Sequence, residues 1–339
     1  MNQVICIGSA SKDVFFPTAR GIITNTPEDL TSQKKISFEL GAKYQIEDRY
    51  EAPGGVAANV SQGLARLGIK AGCCSKIGDD KLGMWIVDEL EKENVDTSLI
   101  QVENNCKSDL SAIIVDTNSG DHTIFFNRDA NERLEIVPEK IKNTEWFFIS
   151  ALNGSVRKSW EENLEEIIKI AKNENIHIAF NPGQRNIKDN SEKVAKAVEN
   201  SEVLILNRDE AIEIVSGYKK QITGDKEFND EKFLIKELQS LGPKVVSLTD
   251  GIRGAWACDE NNLYYTKASG NKPVETTGAG DSFSSGFLAA YIQGKSIEEA
   301  LRWGTANGGS VVGFYGAKDG LIKENEMLEK IEKIKIETL

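Results

Sequence analysis

Short apolar runs alternate along this chain with longer stretches in which apolar residues recur every three or four positions. The short runs at 3–8, 71–77, 145–150, 176–180, 202–206 and 244–249 predict strands. The longer ones predict helices over 56–67, 80–93, 157–173, 191–199, 208–216, 230–241, 281–293, 296–313 and 323–336. Such alternation reads as successive βαβ units with right-handed crossovers. The fold class expected is α/β, with a central, mostly parallel sheet flanked by helices. Ligands of such a sheet gather at the C-terminal ends of its strands.

Two segments break the rhythm. Residues 12–53 carry no helical spacing, and 106–128 alternate apolar and polar positions about the turn Asn118-Ser119-Gly120-Asp121. Together they predict a small β-sheet projecting from the main layer as a lid. Within the first, 17–35 reads as an inserted loop or hairpin. No repeat or low-complexity tract divides the chain, so 1–339 is expected to be a single domain.

Composition narrows the function classes. A net charge of −12 with no basic run argues against a nucleic-acid partner. It also means that any phosphate site must be built locally. No apolar run approaches the roughly 18 residues of a membrane span. The start, Met1-Asn2-Gln3-Val4-Ile5-Cys6-Ile7-Gly8, reads as a first strand and not as a signal peptide. Five cysteines without a Cys-x-x-Cys pair suit buried thiols in a reducing cytoplasm, the expected location. His122 and His177 are the only histidines, which leaves little support for a histidine metal site or a Ser-His-Asp triad.

The candidate chemistry lies in glycine-containing turns. Thr277-Gly278-Ala279-Gly280-Asp281 leads into the apolar-periodic helix carrying Phe283, Phe287 and Leu288. A small-residue turn entering a helix gathers backbone N–H groups and the positive end of the helix dipole, which makes an anion site. Asp281 either caps that helix or takes the proton of a hydroxyl attacking a phosphoryl group held there. Gly54-Gly55 open another helix and let a ligand approach the backbone, with Asn59 one turn further on. Asn207 and Glu210 follow the strand Val203–Leu206, where they either cap a helix or hold magnesium. Thr249-Asp250-Gly251-Ile252-Arg253-Gly254 is a turn at another strand end, suited to lie under nucleotide phosphates or simply to lead into Ala255–Cys258. Gly294-Lys295-Ser296 ends like a Walker A loop but lacks the preceding glycine and follows a helix. No Gly-x-Gly-x-x-Gly follows the first strand, which argues against a dinucleotide site.

In this order and spacing the motifs resemble the PfkB/ribokinase family of ATP-dependent small-molecule kinases, over residues from about 3 to 320. The resemblance implies a ribokinase-like fold. It implies Asp281 as catalytic base, with the backbone of Thr277, Gly278, Ala279 and Gly280 as anion hole. Asp13, Gly54, Gly55 and Asn59 would hold a small sugar, and Asn207 and Glu210 would position magnesium and phosphate. Thr249, Gly251 and Gly254 would form the nucleotide loop, and Asn307 to Gly316-Ala317 the adenine wall. ATP and Mg2+ are the implied cosubstrate and metal. The family usually has Asp where this chain has Glu275; that Asp often helps bind a monovalent cation, so potassium is left open. Arg128, in Phe125-Phe126-Asn127-Arg128, resembles the cation of fructokinases and 2-keto-3-deoxygluconate kinases; alternatively it is a solvated lid residue. The expected reaction is phosphorylation of a primary hydroxyl of such a sugar. A nucleoside kinase and a non-catalytic sensor are the alternatives, and a homodimer through the lid is the expected assembly.

Overall fold

The structure is a computed structural model that describes residues 1–26, 34–46, 48–218, 225–269 and 273–339. Its main layer is a nine-stranded sheet. From one edge the strands run Ala71–Cys74, Val4–Ile7, Trp146–Ser150, His177–Asn181, Val203–Asn207 and Val245–Thr249, all parallel to their neighbours. Ala255–Cys258, Leu263–Thr266 and Glu337–Thr338 then complete it in antiparallel register.

The parallel strands are apolar at consecutive positions because both sheet faces are covered. Val4 and Cys6 join the core beneath the helices Val56–Arg66, Ala279–Ile292 and Ile297–Val311. Ile5 and Ile7 join the opposite core, beneath Trp160–Glu174, Ser191–Glu199, Arg208–Tyr218 and Glu231–Ser240. The helices Ala279–Ile292 and Ile297–Val311 pack so closely that a Cβ on Gly286 would stand 2.7 Å from the Trp303 carbonyl oxygen.

A separate four-stranded sheet has the order His122–Asn127, Leu110–Asp116, Ser11–Thr18, Tyr50–Gly54. Its strands come from both segments that lack helical spacing. Ser11–Thr18 runs parallel to Leu110–Asp116, and both outer pairings are antiparallel. Ile22–Asn25 pairs antiparallel with Lys34–Ser37, while residues 27–33 of the insertion read at 17–35 lie outside the described residues.

Sequence and structure differ in detail. The predicted strand 71–77 divides: Ala71–Cys74 stays in the main sheet and Lys76–Gly78 pairs with Gln101–Glu103. The predicted helix 323–336 stops at Ile331. Beyond it, Glu337 and Thr338 pair with Tyr265 and Tyr264 at the sheet edge.

Candidate functional site

Strand register assembles the surroundings of Asp13. Asp13 lies directly opposite Ser111 on one neighbour and Ala52 on the other. Along Ser11–Thr18 the buried positions alternate, so Ser11, Asp13 and Phe15 share the inner face; Ser111, Ile113 and Val115 do the same on the adjacent strand. Asp13 is therefore buried although charged, and accepts hydrogen bonds from the Ser111 and Ser11 hydroxyls. Burial raises its pKa and the Glu275 charge adds to that; Ser111, Arg128 and Ser11 oppose the shift. A Cβ on Gly54 would fall within the Asp13 carboxyl group, so this position requires glycine for that contact. The Arg128 guanidinium stands over the Phe126 ring at 4.8 Å. Its Nη2 donates to Ser111 Oγ at 3.4 Å, and Nε lies 3.8 Å from Asp109 Oδ2. These contacts hold the Arg128 side chain beside Ser111.

Gly55, with φ of 87°, ends the small sheet and precedes the helix Val56–Arg66. One turn in, Asn59 is buried and donates from Nδ2 to Asp281 Oδ2 at 2.8 Å, while its Oδ1 has no partner among the described residues. This one hydrogen bond joins two motifs 222 residues apart.

The helix bearing Asp281 begins at Ala279 after Gly278, whose φ of 77° is left-handed and easiest for glycine. Gly278 also packs so tightly on Ala317 that a Cβ there would overlap the Ala317 methyl group. Asp281 sits in the first helical turn, and the cap position offers no side chain. Ala279 N–H donates to Thr276 O at 3.2 Å and Ser282 N–H to Gly278 O at 2.9 Å, which leaves the N–H groups of Gly280 and Asp281 without an intrahelical acceptor. Thr277 Oγ1 is buried without a partner. The turn thus presents unsatisfied donors with a carboxylate beside them. Burial, and then the Asp13 charge, raise the Asp281 pKa to about 6 against the opposing Asn59 hydrogen bond.

Glu275, at the entrance to this turn, is fully buried. Its Oε1 accepts from Thr277 N–H at 2.5 Å and lies 3.0 Å from His122 Nδ1; its Oε2 has no partner among the described residues.

Asn207 and Glu210 form reciprocal hydrogen bonds: Asn207 N–H donates to Glu210 Oε2 at 3.0 Å, and Glu210 N–H donates to Asn207 Oδ1 at 2.9 Å. That is a capping box. The capping alternative is thus present in the structure, and it leaves Asn207 exposed and Glu210 buried. Burial, followed by the charges of Glu213, Asp281 and Asp209, pushes Glu210 up to about 8, with the Asn207 N–H opposing. A buried carboxyl surrounded by like charges suits a hard cation. Because its folded pKa lies above the unfolded value, its contribution to stability is full in acid and is lost as pH rises through about 8. Glu210→Gln should therefore melt near the parent at about pH 4 and increasingly above it as pH rises from about 5 to 9 without magnesium, by calorimetry. Equal or lower melting at pH 9 would contradict that electrostatic account.

Thr249 lies opposite Asn207 in the sheet, which puts the two strand ends side by side. Beyond it, Gly251–Arg253 forms a single 3-10 turn. Asp250 is held between Arg253 Nη1 at 3.3 Å and Arg208 Nε at 3.7 Å, which accounts for a charge at this position. Gly254 packs on the Thr266 carbonyl oxygen, and a Cβ on Gly251 would meet nothing. Gly316 rests on Ala52 of the small sheet. Asn307 differs from the rest. Its Nδ2 donates to Ser282 O at 2.8 Å and Ser285 Oγ at 3.1 Å, and its Oδ1 accepts from Ile322 N–H at 3.0 Å. That side chain is committed to helix packing and has little left to offer a nucleotide.

Sequence reasoning overlooked Ser111, Asp109 and Asn131. For Ser111 the signal existed in the two-residue alternation that puts it on the face of Ile113 and Val115. Asp109 immediately precedes the strand Leu110–Asp116 and Asn131 opens the 3-10 turn Asn131–Arg133, where periodicity is silent.

Known proteins resemble this chain in sequence and in fold. Residues 21–324 match the model of the pfkB family carbohydrate kinases. The 5-dehydro-2-deoxygluconokinase of Halalkalibacterium halodurans is 30% identical over 292 residues, covering 83% of this chain and 85% of that protein. The ribokinase of Bacillus subtilis is 26% identical over 337 residues, 97% and 99% of the two chains. The crystal structure of the Methanocaldococcus jannaschii nucleoside kinase, a ribokinase-family member, superposes with a TM-score of 0.73 at 23% identity, over 98% of this chain and 99% of that one. The fold is therefore ribokinase-like, and the chain belongs to the pfkB family of carbohydrate kinases, ATP-dependent enzymes that phosphorylate sugars.

Proposed function

We propose that this kinase transfers the γ-phosphoryl group of ATP to a primary hydroxyl of a small sugar bound between Asp13, Asn59 and Arg128. The observation that carries the reading is the Asn59–Asp281 hydrogen bond, which couples the acceptor side to the anion turn. Asp281 accepts the proton of the attacking hydroxyl. The N–H groups of the first turn and the Thr277 hydroxyl stabilise charge on the transferring phosphoryl oxygens. Asn59 Oδ1 and the Asp13 carboxylate orient the acceptor hydroxyls. Magnesium, held through Glu210 and Asn207, would neutralise phosphate charge; Glu210→Gln is then expected to raise the magnesium needed for half-maximal rate. Potassium is a secondary proposal: the buried, unpaired Glu275 Oε2 would suit a monovalent cation, tested by comparing rates in potassium and choline salts.

The favoured acceptors are fructose-like or 2-keto-3-deoxygluconate-like, and Arg128 is what supports them. A guanidinium beside the acceptor carboxylate of Asp13 can fork across hydroxyls or pair with a sugar carboxylate. Several relatives are named as kinases of 5-dehydro-2-deoxygluconate, which fits the same chemistry. An ADP-release screen over fructose, 2-keto-3-deoxygluconate, 5-dehydro-2-deoxygluconate, ribose and adenosine tests this. Arg128→Ala should cut kcat/KM for the best acceptor at least tenfold, about 1.4 kcal/mol, and more for an acidic sugar than a neutral one. An unchanged ranking would remove the acidic-sugar reading, and adenosine as best acceptor would replace it with a nucleoside kinase.

A homodimer through the small sheet is proposed from its exposed apolar side chains. Phe125 and Phe126, on its strand His122–Asn127, are 64% and 65% exposed, and Ile22, in the strand pair Ile22–Asn25 and Lys34–Ser37, is 66% exposed. Sedimentation at micromolar concentration should show a dimer that Phe125→Asp weakens; a parent protein that sediments as a monomer would end the proposal.

A further inference from the structure

Three strands of the small sheet meet the main body at Ala10, at Asp109 and at Asp129–Ala130, and all three junctions converge on one buried pair. Asn131 and Asp109 are fully buried. Asn131 Nδ2 donates to Ala10 O at 2.9 Å and to Asp109 Oδ2 at 2.7 Å. Its Oδ1 accepts from Ser75 Oγ at 2.8 Å, at the end of the strand Ala71–Cys74. Asp109 Oδ1 accepts from the N–H groups of Asp129 at 2.9 Å and Ala130 at 3.0 Å. Every donor and acceptor on the Asn131 amide is thus engaged, and the orientation of the pair is fixed.

The acceptor ligands hang close to these ties. Asp13 follows Ala10 by three positions, Ser111 follows Asp109 by two, and Arg128 immediately precedes Asp129. Asp109 Oδ2 also lies 3.8 Å from Arg128 Nε, so one carboxylate both clamps the backbone after Arg128 and faces its charge. We infer that Asp109 and Asn131 are positioning residues that hold Arg128 over the acceptor. A stabilising role alone leaves unexplained why the pair sits where the three ligand-bearing strands meet. A buried polar network is costly unless complete, and an apolar plug would hold the junction equally well.

The inference rests on the reading of Arg128 as an acceptor ligand, and the experiment separates the two. Asp109→Asn keeps the shape but places an amide N–H2 against donors. With fructose and 2-keto-3-deoxygluconate as acceptors, it should lower acceptor kcat/KM at least tenfold while the KM for ATP stays within twofold. In an Arg128→Ala background the same change should add less than twofold, because the residue acts through Arg128. Ser75→Ala, which frees Asn131 Oδ1 at less risk to folding, should lower acceptor kcat/KM about threefold. The inference is overturned if Arg128→Ala is impaired while Asp109→Asn and Ser75→Ala lower only the melting temperature. Full additivity in the double variant overturns it as well. If Arg128→Ala itself is unimpaired, the reading of Arg128 fails and the inference with it.

Discussion

Asp281→Asn is expected to lower kcat by roughly 10²–10⁴, the usual worth of a positioned base, with ATP affinity and fold retained. The structure separates this from a capping role. The helix is capped at Gly278, and the only hydrogen bond described for the Asp281 carboxylate comes from Asn59, which an asparagine oxygen can still accept. Loss of a cap would show as lost stability. Here the sign runs the other way. Burial and the Asp13 charge raise the Asp281 pKa to about 6, so its contribution to stability is full in acid and declines as pH rises through about 6. The asparagine variant should therefore melt no lower than the parent at pH 8 while turning over far more slowly. In the parent, kcat/KM should fall below about pH 6 as the base is protonated, and the residual rate of the variant should lack that limb. A variant with near-normal kcat, or one slowed only in proportion to lost folding, would return Asp281 to the helix.

Much of this arrangement is legible in the sequence because it depends on local chemistry. Buried parallel strands announce themselves as apolar runs, and the turns at Gly54-Gly55 and Gly278-Ala279-Gly280 by their small residues. That Thr277–Asp281 faces Asn59 was not legible from periodicity. It depends on how closely two helices and a sheet pack, through contacts such as Gly286 on Trp303. The alternatives for Asn207 and Glu210 also could not be parted by pattern, because a capping box and a magnesium pair use the same residues at the same spacing. The structure shows the box and a buried, charge-crowded carboxyl together. Asn307 shows the opposite limit. An amide near a suspected nucleotide site is indistinguishable in sequence from one that ties two helices together, and only its three internal hydrogen bonds decide. Junction residues such as Asn131 leave no periodic trace at all, because their partners come from three distant strands.

Asp13→Ala should weaken the acceptor far more than ATP. A charged hydrogen bond to a buried hydroxyl contributes about 1.5–3 kcal/mol, or roughly 10–150-fold in acceptor kcat/KM. The KM for ATP should remain near that of the parent. Asn59→Ala should do less, since Asn59 has only one unpaired oxygen to give. The subtler consequence runs through Asp281. The Asp13 charge is one of the two influences that raise the Asp281 pKa. Removing a nearby negative charge makes ionisation of the base easier, so the acid limb of the pH–rate profile should move to lower pH. Asp13→Asn, which keeps the shape against Gly54 and removes only the charge, is the cleaner variant for that measurement. A mere gap in the acceptor pocket would lower kcat/KM at every pH and leave the limb in place. A shifted limb therefore reports that Asp13 and Asp281 share one site. An unmoved limb, or equal losses for ATP and sugar, would mean that the acceptor does not lie between these two carboxylates.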